Sequence, residues 1–258
     1  MNASVNRTDH LDFAQRLMGT AIDLVANSHV QLTERGARDV KVVTLSLLSR
    51  TIVNFKGVVV LLREELLVEA RTLARCCYEN LLWADAIRNR GDAFIDEMIE
   101  DEMGNRKSLG ELILRLRSDK GDGTDSEDSK FLKQHLGTIK KQYPKISKLN
   151  VNKTAAKGAI EQAYVTYGLL SLDSVHPSIS ALGRHLRSEQ DSGETFLSME
   201  IVPRHRPEEF AMTLRMGSEA LLGVSLVASE IFGGNKVDHA LHILQGELKG
   251  FFSSEPGG

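Results

Sequence analysis

Apolar residues recur at spacings of three and four along most of the 258-residue sequence, which is the signature of amphipathic helices. A clear example near the start of the chain has its apolar positions at Leu11, Ala14, Leu17, Met18, Ala21, Ile22 and Val25. The chain has only five prolines, and aromatic residues make up 5% of it, so an all-β protein is not expected. The spacing therefore predicts an all-α fold, a single bundle of about eight or nine helices with one irregular or β-like segment near residues 195–202.

Capping residues, glycines and prolines place the ends of these helices. We predict helices at residues 8–32, 39–62, 64–89, 92–117, 130–142, 154–174, 178–186, 207–232 and 236–251. The helices at 39–62, 64–89, 154–174 and 207–232 should form the centre of the bundle, with 64–89 the most buried.

The chain is expected to form one domain. Residues 118–129 (SDKGDGTDSEDS) should form a flexible acidic loop, and residues 253–258 a frayed tail. No linker rich in proline, glycine or serine divides the sequence. Residues 1–258 are therefore predicted to be a single helical domain.

Composition and motifs argue against several classes of protein. The formal net charge is −3, so no overall positive field attracts nucleic acid or a membrane. The N-terminus lacks the apolar segment of a secretory signal, and the most apolar run, residues 58–62, is far shorter than the ~20 residues of a membrane-spanning helix. Cys76 and Cys77 are adjacent and poorly placed to bridge, so both are expected to be reduced in a cytoplasmic protein. No nucleotide-binding glycine motif or metal-ligand pattern is recognisable, so neither a cofactor nor a metal is expected.

One candidate site lies on the helix predicted at 64–89. Arg71, Arg75 and Glu79 are spaced by four residues and therefore follow one stripe of the helix. Their neighbours on that stripe are apolar, so the charges must be paired to avoid a cost of several kcal/mol each. Two interpretations follow: a buried Arg–Glu pair that fixes helix packing, or an anion-binding arginine that Glu79 orients.

A second candidate is the segment from Tyr167 to Ser178, which contains Ser171, Ser174 and His176. Pro177 disfavours a helical conformation at His176, which should therefore lie at a helix end. The histidine is either a hydrogen-bonded residue of the helix end or a general acid–base, because its side chain titrates near neutral pH. We expect at least one of the three charged residues on the 64–89 helix to reach Ser171, Ser174 or His176 directly or through one water.

A third feature is a basic stretch. Residues 130–157 contain eight lysines and no acidic residue, and Arg184 and Arg187 form a smaller cluster. Such patches can bind phosphates despite a negative total charge, although a solvated lysine face is the alternative. The candidate nucleic-acid-binding residues are Lys133, Lys140, Lys141, Lys145, Lys148, Arg184 and Arg187.

The first two candidates together resemble an uncharacterised bacterial family of all-helical domains. The resemblance rests on RTLARCCYENLLWADAI at residues 71–87 and YGLLSLDSVHPSIS at residues 167–180. It implies a helical fold more than an activity. The chain also distantly resembles HEPN domains, many of which are metal-independent RNases of toxin and antiphage systems. Their hallmark is an arginine and a histidine on one helix with four to six residues between them. Here the residue five before His176 is Ser171, and no arginine lies four to seven positions before this histidine.

Two functions are therefore expected, in order of preference. The first is a non-catalytic interaction module of a bacterial cytosolic protein, a partner in a toxin or antiphage system, with a homo-oligomer or another protein as its partner. The second is an HEPN-like RNase in which Arg71 and Arg75 hold a phosphate, Glu79 orients them, His176 transfers protons and Ser171 or Ser174 supports it. RNA is a candidate partner, and no membrane partner is expected.

Overall fold

The computed structural model describes residues 7–119, 126–146, 148–158, 160–172, 178–191, 194–203, 205–234 and 237–253. The described residues form ten α-helices and one small sheet, so the predicted all-α class is confirmed. The helices are α1 (Arg7–Asn27), α2 (Val40–Arg63), α3 (Leu67–Arg90), α4 (Asp92–Asp119), α5 (Glu127–Gln142), α6 (Val151–Ala155), α7 (Gln162–Leu170), α8 (Ile179–Gly183), α9 (Pro207–Ile231) and α10 (Asp238–Ser253). The sheet consists of β1 (Leu186–Asp191) and β2 (Glu194–Met199).

The core is built around α3, which packs against α2, α7 and α9. These are the four helices predicted at the centre, and α1 and α10 add residues to the same core. Of the residues in α3, 13 are buried, and α9 has 14. The prediction that the third helix is the most buried is therefore not met, because α9 has one buried residue more.

Local capping explains where several helices begin and end. The Asp39 carboxylate accepts a hydrogen bond from the Lys41 N–H and starts α2, as a side-chain N-cap does. Ser126 caps α5 in the same way through the Ser129 N–H, so this helix begins three residues earlier than predicted. Part of the predicted acidic loop is therefore helical, since α4 also continues to Asp119. The rest of that loop, 120–125, and most of the predicted tail, 254–258, lie outside the described residues.

The helix predicted at 154–174 is the clearest difference. It is divided into α6 and α7, and residues 156–158 and 160–161 between them are not helical. At this turn Gly158 lies directly against the carboxylate of the buried Asp85, where a Cβ would overlap it. This close approach of Gly158 to Asp85 favours a turn with a glycine over a continuous helix. The apolar periodicity of the sequence does not predict the turn.

The β-like segment is a hairpin. Strands β1 and β2 are antiparallel, with Leu186 opposite Met199 and Ser188 opposite Leu197. The prediction of extended structure at 195–202 is met by β2, whereas no strand was predicted over the residues of β1. Its sequence, LRSEQD, lacks the apolar alternation that would have identified it.

Two helices, α2 and α9, are long and apolar enough to cross a membrane by length and composition alone. The apolar run that we expected to be too short is therefore part of a longer apolar helix. Both helices lie in the core, where 67% of the most apolar window of α9 but only 39% of that of α2 is buried. Core helices of water-soluble proteins pass the same test, so the expected absence of a membrane partner stays a prediction.

Candidate functional site

Arg75 points from α3 towards α7. Its Nε donates to Ser171 Oγ at 3.0 Å, and its Nη2 donates to the Tyr167 hydroxyl at 2.6 Å. The guanidinium also lies 4.7 Å from the centroid of the Tyr167 ring. Because Tyr167 and Ser171 are four residues apart, they lie on one face and meet the same arginine. The contact expected between the third helix and Ser171 is therefore present.

The third nitrogen of Arg75 is also used. Its Nη1 lies 3.3 Å from Glu79 Oε2, one turn further along α3. The Ser171 hydroxyl in turn donates to the Tyr167 carbonyl at 2.8 Å. All three guanidinium nitrogens of Arg75 therefore have partners within the chain. We call Arg75, Glu79, Tyr167 and Ser171 the Arg75 cluster.

Arg71 takes a different direction. Its Nε donates to Thr213 Oγ1 at 3.1 Å, and its Nη2 lies 3.3 Å from Glu209, both on α9. Its side chain is only 7% exposed. The structure thus gives Arg71 and Arg75 separate partners on separate helices, although their spacing suggested that they could hold one phosphate together.

Glu209 is shared by two arginines, because Arg184 also contacts it, at 2.9 Å. Burial alone would raise the pKa of the Glu209 carboxyl, but hydrogen bonds from Arg184 and the Arg206 N–H oppose that effect. Together with the charges of Arg184 and Arg71 they hold the pKa below its ordinary value of 4.5. Glu209 is therefore a carboxylate at neutral pH and ties α3, α8 and α9 together.

Sequence reasoning missed a second polar contact between α3 and α9. The buried Tyr78 hydroxyl donates to Glu219 Oε2 at 2.8 Å, and Arg215 Nε donates to Glu219 Oε1 at 2.8 Å. Burial raises the pKa of the Tyr78 hydroxyl, and the neighbouring carboxylate raises it further. The only signal in the sequence was the four-residue spacing of Arg215 and Glu219.

The remaining catalytic candidates, Ser174 and His176, lie outside the described residues. The proton-transfer role suggested for His176 therefore stays a prediction. Ser178, the first described residue after them, caps α8 through the Ala181 N–H and donates to the Leu172 carbonyl at 3.0 Å. The end of α7 and the start of α8 are thus held next to each other.

The basic candidates fall into two groups. Lys133, Lys140, Lys141, Lys145 and Lys148 are exposed, and Lys140 lies 3.2 Å from Glu111 of α4. Arg184 is paired with Glu209, and Arg187 lies 3.2 Å from Glu200. The lysines are therefore accessible to a phosphate backbone, although Lys140, like both arginines, already lies beside a carboxylate.

A cleft opens between the start of α3 and the chain that follows α8. Glu65–Glu69 form one wall, and Arg184, His185, residues 201–203 and His205 form the other. Its volume of about 40 Å³ is far below the ~300–1,000 Å³ of a typical small-molecule site. Among the described residues, no group of three or more histidine, cysteine or acidic side chains is placed to hold a metal ion.

A family model described as a family of unknown function, DUF5677, matches residues 41–194, more than half of the chain. The chain belongs to the DUF5677 family. This confirms the resemblance to an uncharacterised family. The DUF5677 match spans α2 to the start of β2 and includes every member of the Arg75 cluster, whereas the partners of Arg71 on α9 lie outside it. No curated protein and no solved structure shows significant similarity to the chain.

Proposed function

We propose that this DUF5677 protein is a non-catalytic helical interaction module. The observation that carries the proposal is that each of the three guanidinium nitrogens of Arg75 already has a partner within the chain. An arginine that binds phosphate needs free N–H donors. Here Ser171, Tyr167 and Glu79 each contact a different nitrogen of the Arg75 guanidinium, which leaves only two of its five N–H donors, on separate nitrogens. The Arg75 cluster therefore has a structural role: it holds α7 against α3.

The neighbouring contacts support the same role. Arg71 contacts Glu209 and Thr213 of α9, and Tyr78 contacts Glu219 of the same helix. Helix α3 is therefore linked by polar contacts to α9 as well as to α7. Buried polar groups with a unique set of partners fix one packing arrangement of a core, because any other arrangement leaves them unpaired. A rigid bundle of this kind presents its outer surfaces in a fixed geometry, as a binding module requires.

The alternative is a metal-independent, HEPN-like RNase that uses Arg75 and His176. One observation favours it: the Arg75 cluster is not sealed, since the side chains of Arg75 and Glu79 are 19% and 30% exposed. The exposed lysines of α5 and the segment after it would follow the RNA backbone in that case.

Incubation of the purified protein with total RNA in the presence of EDTA separates the two functions. We expect no cleavage by the wild-type chain. Cleavage that is lost in Arg75→Ala but kept in Arg106→Ala would refute the module and support the RNase. Arg106 is a suitable control because it is also paired with a glutamate four residues away, at 2.5 Å, but lies on the surface of α4 with 58% of its side chain exposed.

A further inference from the structure

The exposed large apolar residues are concentrated in one part of the chain. Of the 21 such residues in the described structure, eleven lie between Val165 and Val202. This stretch contains α7, α8 and the hairpin. Ser178 links the end of α7 to the start of α8, and α8 leads through a two-residue turn into β1. We call these eleven residues the 165–202 apolar surface.

Helix α7 contributes its outer face. Val165, Leu169 and Leu172, the last of them just after the end of α7, follow a spacing of four and three residues and are 51%, 57% and 64% exposed. Tyr167 and Ser171 lie on the opposite side of the helix and contact α3. A helix that is apolar on both sides is expected to be buried on both sides. Among the described residues, α7 packs against α3 and α6, and its outer face stays more than half exposed.

The hairpin contributes a second uncovered face. Cross-strand pairing and alternation put Leu186, Ser188, Leu197 and Met199 on one side of the sheet. The three apolar residues of that side are 51%, 71% and 76% exposed. An antiparallel sheet normally packs its apolar face against a core, and an isolated two-stranded hairpin is marginally stable in water. Within the described part of the chain, this apolar face of the hairpin is therefore exposed where such a face is normally buried.

The two edge strands of the sheet differ in charge, and this difference favours β2 as the strand that pairs with a partner. Within the described residues, no third strand pairs with either β1 or β2. Three of the six residues of β1 are charged, a feature that discourages edge pairing, whereas Thr195 to Met199 of β2 carry no charge. If β2 pairs antiparallel with β2 of a second copy, a two-fold axis relates the two strands, so the same residues contribute from each copy. The apolar faces of the two hairpins then lie on the same side of the joined sheet.

We propose that the 165–202 apolar surface is a homodimer interface, in which two β2 strands join the hairpins into a four-stranded sheet. The apolar face of this sheet and the outer face of α7 would be covered by the second copy. Phe196 lies on the other side of the sheet, and the remaining side chains of the surface offer on the order of 700 Å² of apolar area, close to the ~800 Å² per partner of a stable interface. The absence of charge from Thr195 to Met199 matches a permanent homodimer better than a transient contact. The inference rests on the proposed function, for which it names the partner.

Sedimentation equilibrium of the full chain over a range of concentrations tests the interface. We expect the wild type to have twice the 28.5 kDa mass of one chain. Leu197→Lys places two like charges at the paired edges and should give a species of one chain mass. Leu109→Lys is the matched control, because Leu109 is 59% exposed on α4, outside the surface, and should leave the dimer intact.

Amide hydrogen exchange of the wild type provides a second measurement that does not depend on a variant that folds. The amides of β2 should become more protected as the protein concentration rises through the dimerisation range, while those of α4 should not change. Three results would each refute the proposed interface: a wild type with the mass of one chain, a Leu197→Lys variant that is still a dimer, or protection of the β2 amides that does not depend on protein concentration. A monomer that does not cleave RNA would refute only the dimer, whereas cleavage of RNA by a dimer would refute only the proposed function.

Discussion

At the scale of single residues, α3 shows that equal spacing does not mean equal surroundings. Arg71 and Arg75 are one turn apart, yet the first contacts α9 and the second contacts α7. The four-residue spacing could predict that both side chains lie on one stripe and need partners. It could not predict which partner each would find, because that depends on how two other helices pack on either side of the stripe.

Replacement of Arg75 by alanine should lower the thermal stability clearly. The change leaves the Tyr167 hydroxyl, Ser171 hydroxyl and Glu79 carboxylate without their shared donor, at a cost of about 2 kcal/mol. For a chain of this length that corresponds to a decrease in Tm of about 4–8 °C. Differential scanning calorimetry would measure it.

The matched control for that experiment is Arg106→Ala, which removes an exposed pair of the same spacing. Its Tm should change by less than about 2 °C, because exposed ion pairs contribute little. Equal changes in the two variants would show that Arg75 does not act as a tie between helices.

Replacement of Glu209 by glutamine should make stability less dependent on pH in the acid range. Its pKa in the folded chain lies below the ordinary 4.5, so the stabilisation is complete above pH 4.5 and is lost as the pH falls through the folded-state pKa. The Tm difference between wild type and Glu209→Gln should therefore be largest near pH ~7 and shrink towards pH ~3. Thermal melts at both pH values measure it.

Glu102 provides the comparison for Glu209, because it pairs with Arg106 while 54% of its side chain is exposed. Glu102→Gln should differ little from the wild type at either pH. A Tm difference for Glu209→Gln that stayed constant between the two pH values would mean that its charge does not contribute to stability.

At the scale of elements, small residues decide how closely the core helices approach. Gly217 of α9 faces the fully buried Phe55 of α2, and a Cβ at Gly217 would lie 2.9 and 3.0 Å from two ring atoms. Neither the ring nor the backbone has space to move in a packed core. The glycine is therefore a requirement of the α2–α9 contact, despite its low helix propensity.

Gly217→Ala should destabilise the chain by about 2 kcal/mol, with a Tm about 4–8 °C lower, because the methyl group overlaps the Phe55 ring. Gly19→Ala is the matched control. Gly19 lies within α1, is exposed, and has no heavy atom within 4 Å of the position that an added methyl group would occupy. The control should be more stable than the wild type by about 0.5–1 kcal/mol, since alanine favours helices. Chemical denaturation curves of the two variants should shift in opposite directions.

At the scale of the whole molecule, the periodicity of the sequence was sufficient for the fold class and for the helices at its centre. It was insufficient for the turn at Gly158, since that turn depends on the carboxylate of Asp85, which is distant in the sequence. The hairpin shows the same limit. Strand β1 is extended because β2 pairs with it, not because of its own residues. Of the candidate site, spacing identified Arg75, Glu79, Tyr167 and Ser171, but the Tyr78–Glu219 contact required knowledge of α9.

The packing of the helix pair α4 and α5 has a consequence for how the molecule unfolds. In α4, Phe94 and Ile95 belong to a core cluster, but further along the buried positions are Gly104 and Gly110, which contact Ile146 and Leu136. Leu109, Leu112 and Leu116 remain 40–59% exposed. Regions with few buried apolar contacts open at a lower free energy than the core. The outer part of this helix pair should therefore unfold and refold many times within the lifetime of one intact bundle. A protease would cut there long before it reached α3.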